Sequence, residues 1–166
     1  MATALFISRT DLVKNTIIDG NVDTDKFIQF IKIAQEIHIT NYLGSKLYDK
    51  ISTDIVANTL TGDYLSLVND YIQPMLIHFA MVEYLPFASF QIKNGGVFKH
   101  SSESSESVSK SEIEFLIQKQ RDFSEYYTRR FVDYICFNST KFPEYLNNSG
   151  SDVDPDKDVN PSNWVL

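Results

Sequence analysis

The sequence has few cysteines and histidines, which limits the chemistry that it can support. Cys136 is the only cysteine, so an intrachain disulfide and a cysteine-ligated zinc cluster are both excluded. The three histidines, His38, His78 and His100, are far apart, and a metal site would require them to converge in the fold. We therefore expect no metal and no cofactor. With an N-terminus unlike a secretory signal, the single cysteine also predicts synthesis in a reducing cytosol.

Positive charge is also scarce. The net charge is −7 and the isoelectric point is near 4.9, so the surface as a whole repels nucleic acid and anionic membranes. The longest mostly apolar stretch, from Tyr71 to Phe90, is interrupted by polar residues and two prolines. It is not a membrane span. We expect neither specific DNA binding nor a membrane location.

Recognisable catalytic motifs are absent from the sequence. The Asn94-Gly95-Gly96 segment lacks the lysine and the following helix of a phosphate-binding loop. Glu112 and Glu114, two residues apart on a predicted helix, face different directions and do not form an acid–base pair. We therefore predict that the protein is not an enzyme.

The aspartates near the C-terminus resemble the start of a calcium-binding loop. They alternate from Asp152 to Asp158, as the ligands of such a loop do. The position that requires glycine is Lys157, however, and the position that requires a bidentate glutamate is Asn163. A solvated acidic spacer is therefore the favoured interpretation, and calcium binding remains the alternative.

What the sequence does contain is helical periodicity and many aromatic residues, twelve Phe and nine Tyr. Helix caps and apolar repeats predict a short first helix ending near Asn15 and long helices near 24–42, 61–92 and 109–138. The last opens with two capping-box patterns, Ser109-x-x-Glu112 and Ser111-x-x-Glu114. Together they predict an all-α fold, a small bundle of long kinked helices, with residues 1–146 as one helical domain.

Glycine and proline mark the expected breaks in these helices. Gly44 should end the helix that starts near residue 24, and a shorter helix should follow from Ser45 to Val56. Pro74 and Pro86 should kink or end the third helix. Near residues 94–108 the helical period is lost, and a flexible loop or a small hairpin is expected.

Several residues are candidates for contacts with other proteins. Ile33 and Ile39 lie on a helix that has apolar residues on more than one face, which indicates burial by more than one neighbour. We predict that they, together with the aromatic residues of the third helix, form a subunit interface. Val97 and Phe98 should contact a neighbouring protein from the 94–108 excursion. Cys136 is expected to be a small buried hydrophobe.

The last twenty residues are expected to form an extended arm. Their stem is acidic, contains proline and has few aliphatic side chains, so residues 147–166 should behave as a spacer. At its tip, Trp164, Val165 and Leu166 should dock on another subunit or another protein. The alternative is that Trp164 folds back onto its own bundle.

The order of elements resembles that of a known family. The segment FIQFIKIAQEIHITNYLG, which continues into SKLYDKI within residues 25–51, is similar to the helix, Leu-Gly break and helix of the head–tail connector (adaptor) proteins of tailed bacteriophages. The ring proteins of crAss-like short-tailed phages are the most similar. The resemblance covers roughly residues 8–146. The serine-rich part of the 94–108 loop and the acidic tail are longer than a minimal connector needs and are additions to the family's pattern. An unrelated helical bundle is the alternative.

The resemblance implies a non-enzymatic virion protein located at the portal–tail junction and assembled in the bacterial host cytoplasm. Its copies, twelve by the family's pattern, would form a ring that contacts the portal protein and other tail or ring proteins. The genome would pass through the channel of this ring without specific binding. From a different class, the alternative function is a small cytoplasmic helical binding module or regulator.

Overall fold

The structure, a computed structural model, describes residues 4–18, 24–88, 90–93, 96–99, 109–150 and 152–159. Most of these residues are helical, and the fold is all-α. The predicted bundle of long kinked helices is therefore confirmed. The site predictions that fall on the tip of the tail, including Trp164, lie outside the described residues.

The first helix begins and ends where the sequence predicts. Helix α1 spans Arg9–Asn15, and the Ser8 side chain accepts a hydrogen bond from the backbone N–H of Asp11. The Asp11 carboxylate in turn accepts from the Ser8 N–H at 2.7 Å. This reciprocal capping box satisfies backbone donors that the first helical turn leaves free.

The second helical segment is long and changes its geometry twice. Helix α2 spans Thr24–Ala34, a π-helical turn follows over Gln35–Ile39, and helix α3 spans Thr40–Ala57. Within α3, Gly44 has φ 72° and ψ 160°, which interrupts the helix at the predicted break. This backbone region is populated essentially only by glycine.

The π-helical turn holds the N-terminal segment in place through a buried glutamine. Gln35 is fully buried, and its amide nitrogen donates to the Ala4 carbonyl at 2.7 Å and to the Tyr48 hydroxyl at 2.8 Å. Its amide oxygen accepts from the Phe6 N–H at 3.0 Å. Single π-helical turns of this kind occur within longer helices. Here the turn carries Gln35, whose side chain links residues 4 and 6 to α3.

The third helical segment is shorter than predicted. Helix α4 spans Gly62–Leu67, a π-helical turn follows over Val68–Ile72, and helix α5 spans Gln73–Tyr84. A 3₁₀ turn over Leu85–Phe87 ends the segment, so the predicted helix to residue 92 is wrong. Pro86 explains the end, because it offers no N–H for a continuing helix.

A small antiparallel hairpin follows. Strand β1 spans Phe90–Lys93 and strand β2 spans Gly96–Lys99, with Phe90 opposite Lys99 and Lys93 opposite Gly96. The hairpin that the sequence allowed near 94–108 is confirmed, but it begins earlier than expected. Residues 94–95 and 100–108 lie outside the described part of the chain.

The last long helix confirms the predicted one. Helix α6 spans Lys110–Phe137, and its Ser109 cap forms the predicted capping box with Glu112. The Ser109 hydroxyl and backbone hydrogen bonds to this carboxylate lower the pKa of Glu112. A 3₁₀ turn over Ser139–Lys141 and the short helix α7, Pro143–Leu146, complete the helices of the described residues.

Helix α5 lies at the centre of the bundle and packs against both α2 and α6. Its apolar residues are buried on every side: Met75, Leu76, Ile77, Phe79, Ala80, Met81 and Val82. A helix that is apolar all round is an interior helix. In the predicted third helix, Phe79 is buried in the protein's own core, whereas Phe87 and Phe90 are 60% and 51% exposed, so the subunit-interface role of these aromatic residues stays a prediction.

Candidate interaction surfaces

The C-terminal segment lies against the kink of α3. We call residues 147–150 and 152–159 the strap. The N–H of Ser45, just after Gly44, donates to the Val153 carbonyl at 3.0 Å, and the Val153 N–H donates to the Ser45 hydroxyl at 2.9 Å. On the other side of the break, the Asp156 N–H donates to the Asn41 carbonyl at 2.7 Å. The strap thus supplies partners that the interrupted helix lacks.

Asn148 is the central polar residue of the strap. It is 3% exposed, and its side-chain oxygen accepts from the Lys46 N–H at 3.0 Å. Its amide nitrogen donates to the Val153 carbonyl at 2.6 Å and to the Asp154 carboxylate at 3.0 Å. One side chain therefore caps the helix that restarts after Gly44 and also fixes the shape of the strap.

The strap approaches Gly44 so closely that no side chain fits there. A β-carbon placed on Gly44 would lie 2.8 Å from the Pro155 ring and 2.9 Å from the Asn148 side-chain oxygen. Glycine at this position is thus required twice, by its backbone angles and by the approach of the strap.

These contacts correct the predicted division into a helical domain, 1–146, and an extended arm, 147–166. The arm prediction is wrong for residues 147–150 and 152–159, which lie on the bundle. The sequence argument counted apolar side chains, whereas the strap is held mainly by backbone hydrogen bonds and by one buried amide. Backbone groups are equally available in any sequence, so composition does not reveal such a contact.

The end of the strap contacts the core of the bundle through Val159. Burial, together with the negative charges of Asp156 and Asp158 in the strap and of Glu125 on α6, raises the pKa of Tyr42 to about 12. The Tyr42 hydroxyl therefore remains protonated at neutral pH.

Helix α6 displays four aromatic side chains on its outer face. We call Phe115, Phe123, Tyr126 and Phe137 the α6 stripe; they are 61%, 47%, 59% and 89% exposed. At 3.6 residues per turn they fall within about 80° of arc, and about 33 Å separates the first from the last along the helix. The stripe is directed away from the bundle, and the charged residues Lys119, Arg130 and Asp133 lie between its aromatic side chains on the same face of the helix.

The opposite face of α6 packs against α5. Its buried residues there are Ser124, Thr128, Phe131, Val132 and Ile135. His78 of α5 stacks on Tyr127, and its Nδ1 lies 2.8 Å from the Gln120 side-chain oxygen. Burial lowers the pKa of His78, an effect that the hydrogen bond with Gln120 opposes. This histidine is a hydrogen-bonded packing residue.

The two isoleucines predicted at the interface have different surroundings. Ile33 is 38% exposed, and Ile37, one turn further on, is 50% exposed. Ile39 is fully buried in the protein's own core. The assignment of Ile39 to a subunit interface is therefore wrong, because the chain itself already covers this side chain. Ile33 on α2 and Ile37 in the π-helical turn that follows form an exposed apolar patch, which we call the α2 patch.

The remaining predicted contact residues are only partly described. Val97 and Phe98 lie in strand β2, and their side chains are outside what the structure describes. Trp164, Val165 and Leu166 fall outside the described residues altogether. Cys136, expected to be buried, is exposed and unpaired by any disulfide, because its position on α6 points away from α5.

No group of acidic, histidine or cysteine side chains within the described residues is arranged to hold a metal ion. The four strap aspartates are among these residues, so the calcium-loop alternative gains no support from the geometry. His38, for its part, pairs with Glu83 at 2.9 Å. None of the described helices has the length and apolarity needed to cross a membrane.

Sequence reasoning missed the strap contact and most of the α6 stripe. The signal for the stripe was present, since Phe115, Tyr126 and Phe137 fall opposite the predicted apolar face of the helix. For the strap there was no comparable signal. Nothing in the spacing of Gly44 and Pro155 indicates that these residues touch.

The fold and these surfaces define a small all-α bundle. Its strap is part of the folded unit, and its helix α6 displays aromatic side chains. The model of a family described as "Family of unknown function (DUF6712)" matches residues 39–155, and the chain belongs to this family. The matched region contains Gly44 and Pro155, the two residues that meet at the strap contact. No curated protein and no solved structure matches the chain.

Proposed function

We propose that the protein is a structural component of a tailed-phage virion. Its copies form a ring at the portal–tail junction, join the portal to the tail and surround the DNA channel. The observation that carries the proposal is the α6 stripe, four exposed aromatic side chains on one face of a helix in an acidic protein. Exposed aromatic faces of this length mark protein–protein contacts.

A ring requires two different surfaces on each subunit, one for each neighbour. The α6 stripe is one candidate, and the α2 patch of Ile33 and Ile37 is the other. Helix α5 packs against both α2 and α6, so the two candidate surfaces belong to separate helices of the bundle. In head-to-tail association, the stripe of one copy contacts the patch of the next.

The charge of the protein fits a wall around DNA. A net charge of −7 disfavours binding to phosphates, so the genome passes without being retained. We further propose that the hairpin, through Val97 and Phe98, contacts the portal or another ring protein. These assignments, the copy number of twelve and the virion location rest on the resemblance of residues 8–146 to phage connectors.

The proposal is tested with two variants that each remove one surface. Phe115→Glu places a charge in the stripe and Ile33→Glu places one in the α2 patch, whereas Val56→Glu, at a 62% exposed site near the end of α3, is the matched control. Size-exclusion chromatography with light scattering, with and without the portal protein, measures assembly. We expect Val56→Glu to assemble like the wild type and each of the other two variants to fail alone.

Mixing the two defective variants sharpens the test. In a head-to-tail ring, the intact patch of one variant pairs with the intact stripe of the other, so the mixture should form dimers but no closed ring. A wild-type protein that stays monomeric both alone and with portal would contradict the proposal. It would favour the alternative, a small cytoplasmic binding module that uses the same stripe for another partner.

A further inference from the structure

The strap contact joins two parts of the chain that are separate in sequence. We call residues 152–159 the distal strap. The groups that hold it form what we call the kink site: the Asn41 carbonyl, the Ser45 N–H and hydroxyl, the surface over Gly44 and the Asn148 amide. Asn148 is fixed independently, because its side-chain oxygen accepts from the Lys46 N–H at 3.0 Å. Every group of the kink site therefore lies outside the distal strap, and the two parts relate as a site and its ligand.

The distal strap is bound as an extended peptide. Its half-buried residues are Val153, Pro155 and Val159, whereas all four of its aspartates are exposed. This near-alternation is that of an extended chain lying on a surface. The Val153 carbonyl accepts from the Ser45 N–H at 3.0 Å, and the Asp156 N–H donates to the Asn41 carbonyl at 2.7 Å. Sites for extended peptides combine these two elements, main-chain hydrogen bonds and contacts with alternate side chains.

The link between the kink site and the distal strap is exposed where the structure describes it. Ser149 and Gly150 are both exposed. Gly150 has φ 78°, and a β-carbon placed on it would meet no atom within 4 Å. No packing therefore holds Gly150 in place, and its backbone angles direct the distal strap toward its own bundle. A change in these angles redirects the distal strap without altering the kink site.

We propose that the kink site also accepts the distal strap of a second copy of this chain, so that neighbouring copies exchange their straps. A second copy is the occupant because it carries the identical segment, and exchange of identical elements re-forms the same contacts between chains. In dilute solution the chain's own distal strap occupies the site, since a short tether provides a millimolar effective concentration. Where copies lie side by side, a neighbour's distal strap competes and links them. The exchange goes beyond the proposed ring, because it requires two copies but neither the α6 stripe nor the portal.

One substitution in the full chain separates the two arrangements. Proline fixes φ near −65°, so Gly150→Pro excludes the 78° angle of Gly150 and leaves the kink site and the distal strap unchanged. In the Phe115→Glu background, which removes the stripe, light scattering should show a shift from the mass of one 19.1 kDa chain to at least twice that mass. Gly150→Asn is the matched control, because asparagine tolerates a positive φ and has room there. It should leave the mass unchanged.

Two further measurements show whether the distal strap makes the link. Val153→Pro removes the N–H that donates to the Ser45 hydroxyl at 2.9 Å, so Gly150→Pro/Val153→Pro should be monomeric. When isotope-labelled and unlabelled copies of the Gly150→Pro variant are mixed, isotope-filtered NMR should detect the contact between Val153 and Ser45 across two chains. Circular dichroism of each variant checks that the helices are intact, as expected for substitutions outside them.

Two outcomes would overturn the proposal. One is a Gly150→Pro variant that stays monomeric at every concentration, whether its distal strap is free or has returned to its own kink site. The other is association that persists in Gly150→Pro/Val153→Pro or that lacks the interchain contact, which would assign it to another surface. Failure of the proposed ring is measured separately, on the wild type and on Phe115→Glu with Gly150 intact, so the two failures are distinguishable.

Discussion

The strap and the α6 stripe differ in burial from what their compositions suggest: the polar strap lies against the bundle, and the aromatic stripe is exposed. The strap is acidic and contains proline, yet it lies against the kink of α3 with Asn148 buried and Gly44 in contact. The stripe is aromatic, yet its four side chains are 47–89% exposed. The comparison shows that backbone groups left free by a helix break can hold a polar segment against the bundle, whereas an apolar residue is buried only where a surface remains to cover it.

Of the substitutions that test this comparison, Gly44→Ala should have the largest effect on the free energy of unfolding. The backbone angles of Gly44 alone cost a residue with a β-carbon about 1–3 kcal/mol, and the new methyl group would also displace Pro155 and Asn148. We expect a larger loss in the free energy of unfolding than for Gly62→Ala. Gly62 also has a positive φ, of 60°, but a methyl group added there would meet no atom within 4 Å.

Urea denaturation of both variants measures the difference, which combines the strap contact with the strain of the Gly44 backbone angles. Equal losses for Gly44→Ala and Gly62→Ala would contradict the expected penalty at Gly44.

A smaller effect is expected when the strap loses only its buried amide. Asn148→Ala leaves the Lys46 N–H without its side-chain acceptor, and such unsatisfied groups cost about 1–3 kcal/mol. Asn147→Ala is the control, since this neighbour is exposed and contributes its backbone carbonyl, which the substitution retains. Hydrogen exchange of the Ser45 and Lys46 amides should accelerate in the first variant alone. Unchanged exchange would contradict the capping role.

The contact between α5 and the inner face of α6 leads us to expect a pH dependence of the free energy of unfolding. Burial lowers the pKa of His78 below its ordinary 6.5. As the pH falls through 6.5, the unfolded chain binds a proton here that the folded protein does not, so the free energy of unfolding decreases. His78→Gln, which removes the titrating group, should flatten this part of the stability–pH curve. Parallel curves for the two proteins between pH 7 and 5 would contradict the prediction.

The smallest effect belongs to the stripe itself. Phe137 is 89% exposed, so Phe137→Ser should change the free energy of unfolding by no more than about 0.5 kcal/mol. Thermal and urea unfolding of the monomer measure this. A loss comparable to that of a buried phenylalanine would mean that the stripe is a structural part of the fold rather than a free surface.

The extent to which the sequence predicted this molecule depended on the range of the interactions involved. Local signals were reliable: the Ser109 capping box and the break at Gly44 both depend on residues close together in the chain. The predicted end of the third helix is wrong because a proline can either kink a helix or end it, and Pro86 ends this one.

Non-local features could not be predicted in the same way. Ile33 and Ile39 belong to one predicted helix, yet one is 38% exposed and the other is fully buried. Six residues at 100° each place them on different faces, and which face the bundle covers depends on tertiary packing. The strap joins residues about a hundred positions apart. Such a contact depends on backbone groups that every sequence has.

The strap also has a consequence for the order in which the protein folds. Ser45 and Val153, which exchange hydrogen bonds at the kink, are separated by 108 positions. On the ribosome, the segment containing Gly44 emerges long before its partner is synthesised. Contacts of such long range are slow to form, because the intervening chain must first be brought together. The angle between the two halves of α3 is therefore set last, and a chain released without its final residues retains an unfinished hinge near its middle.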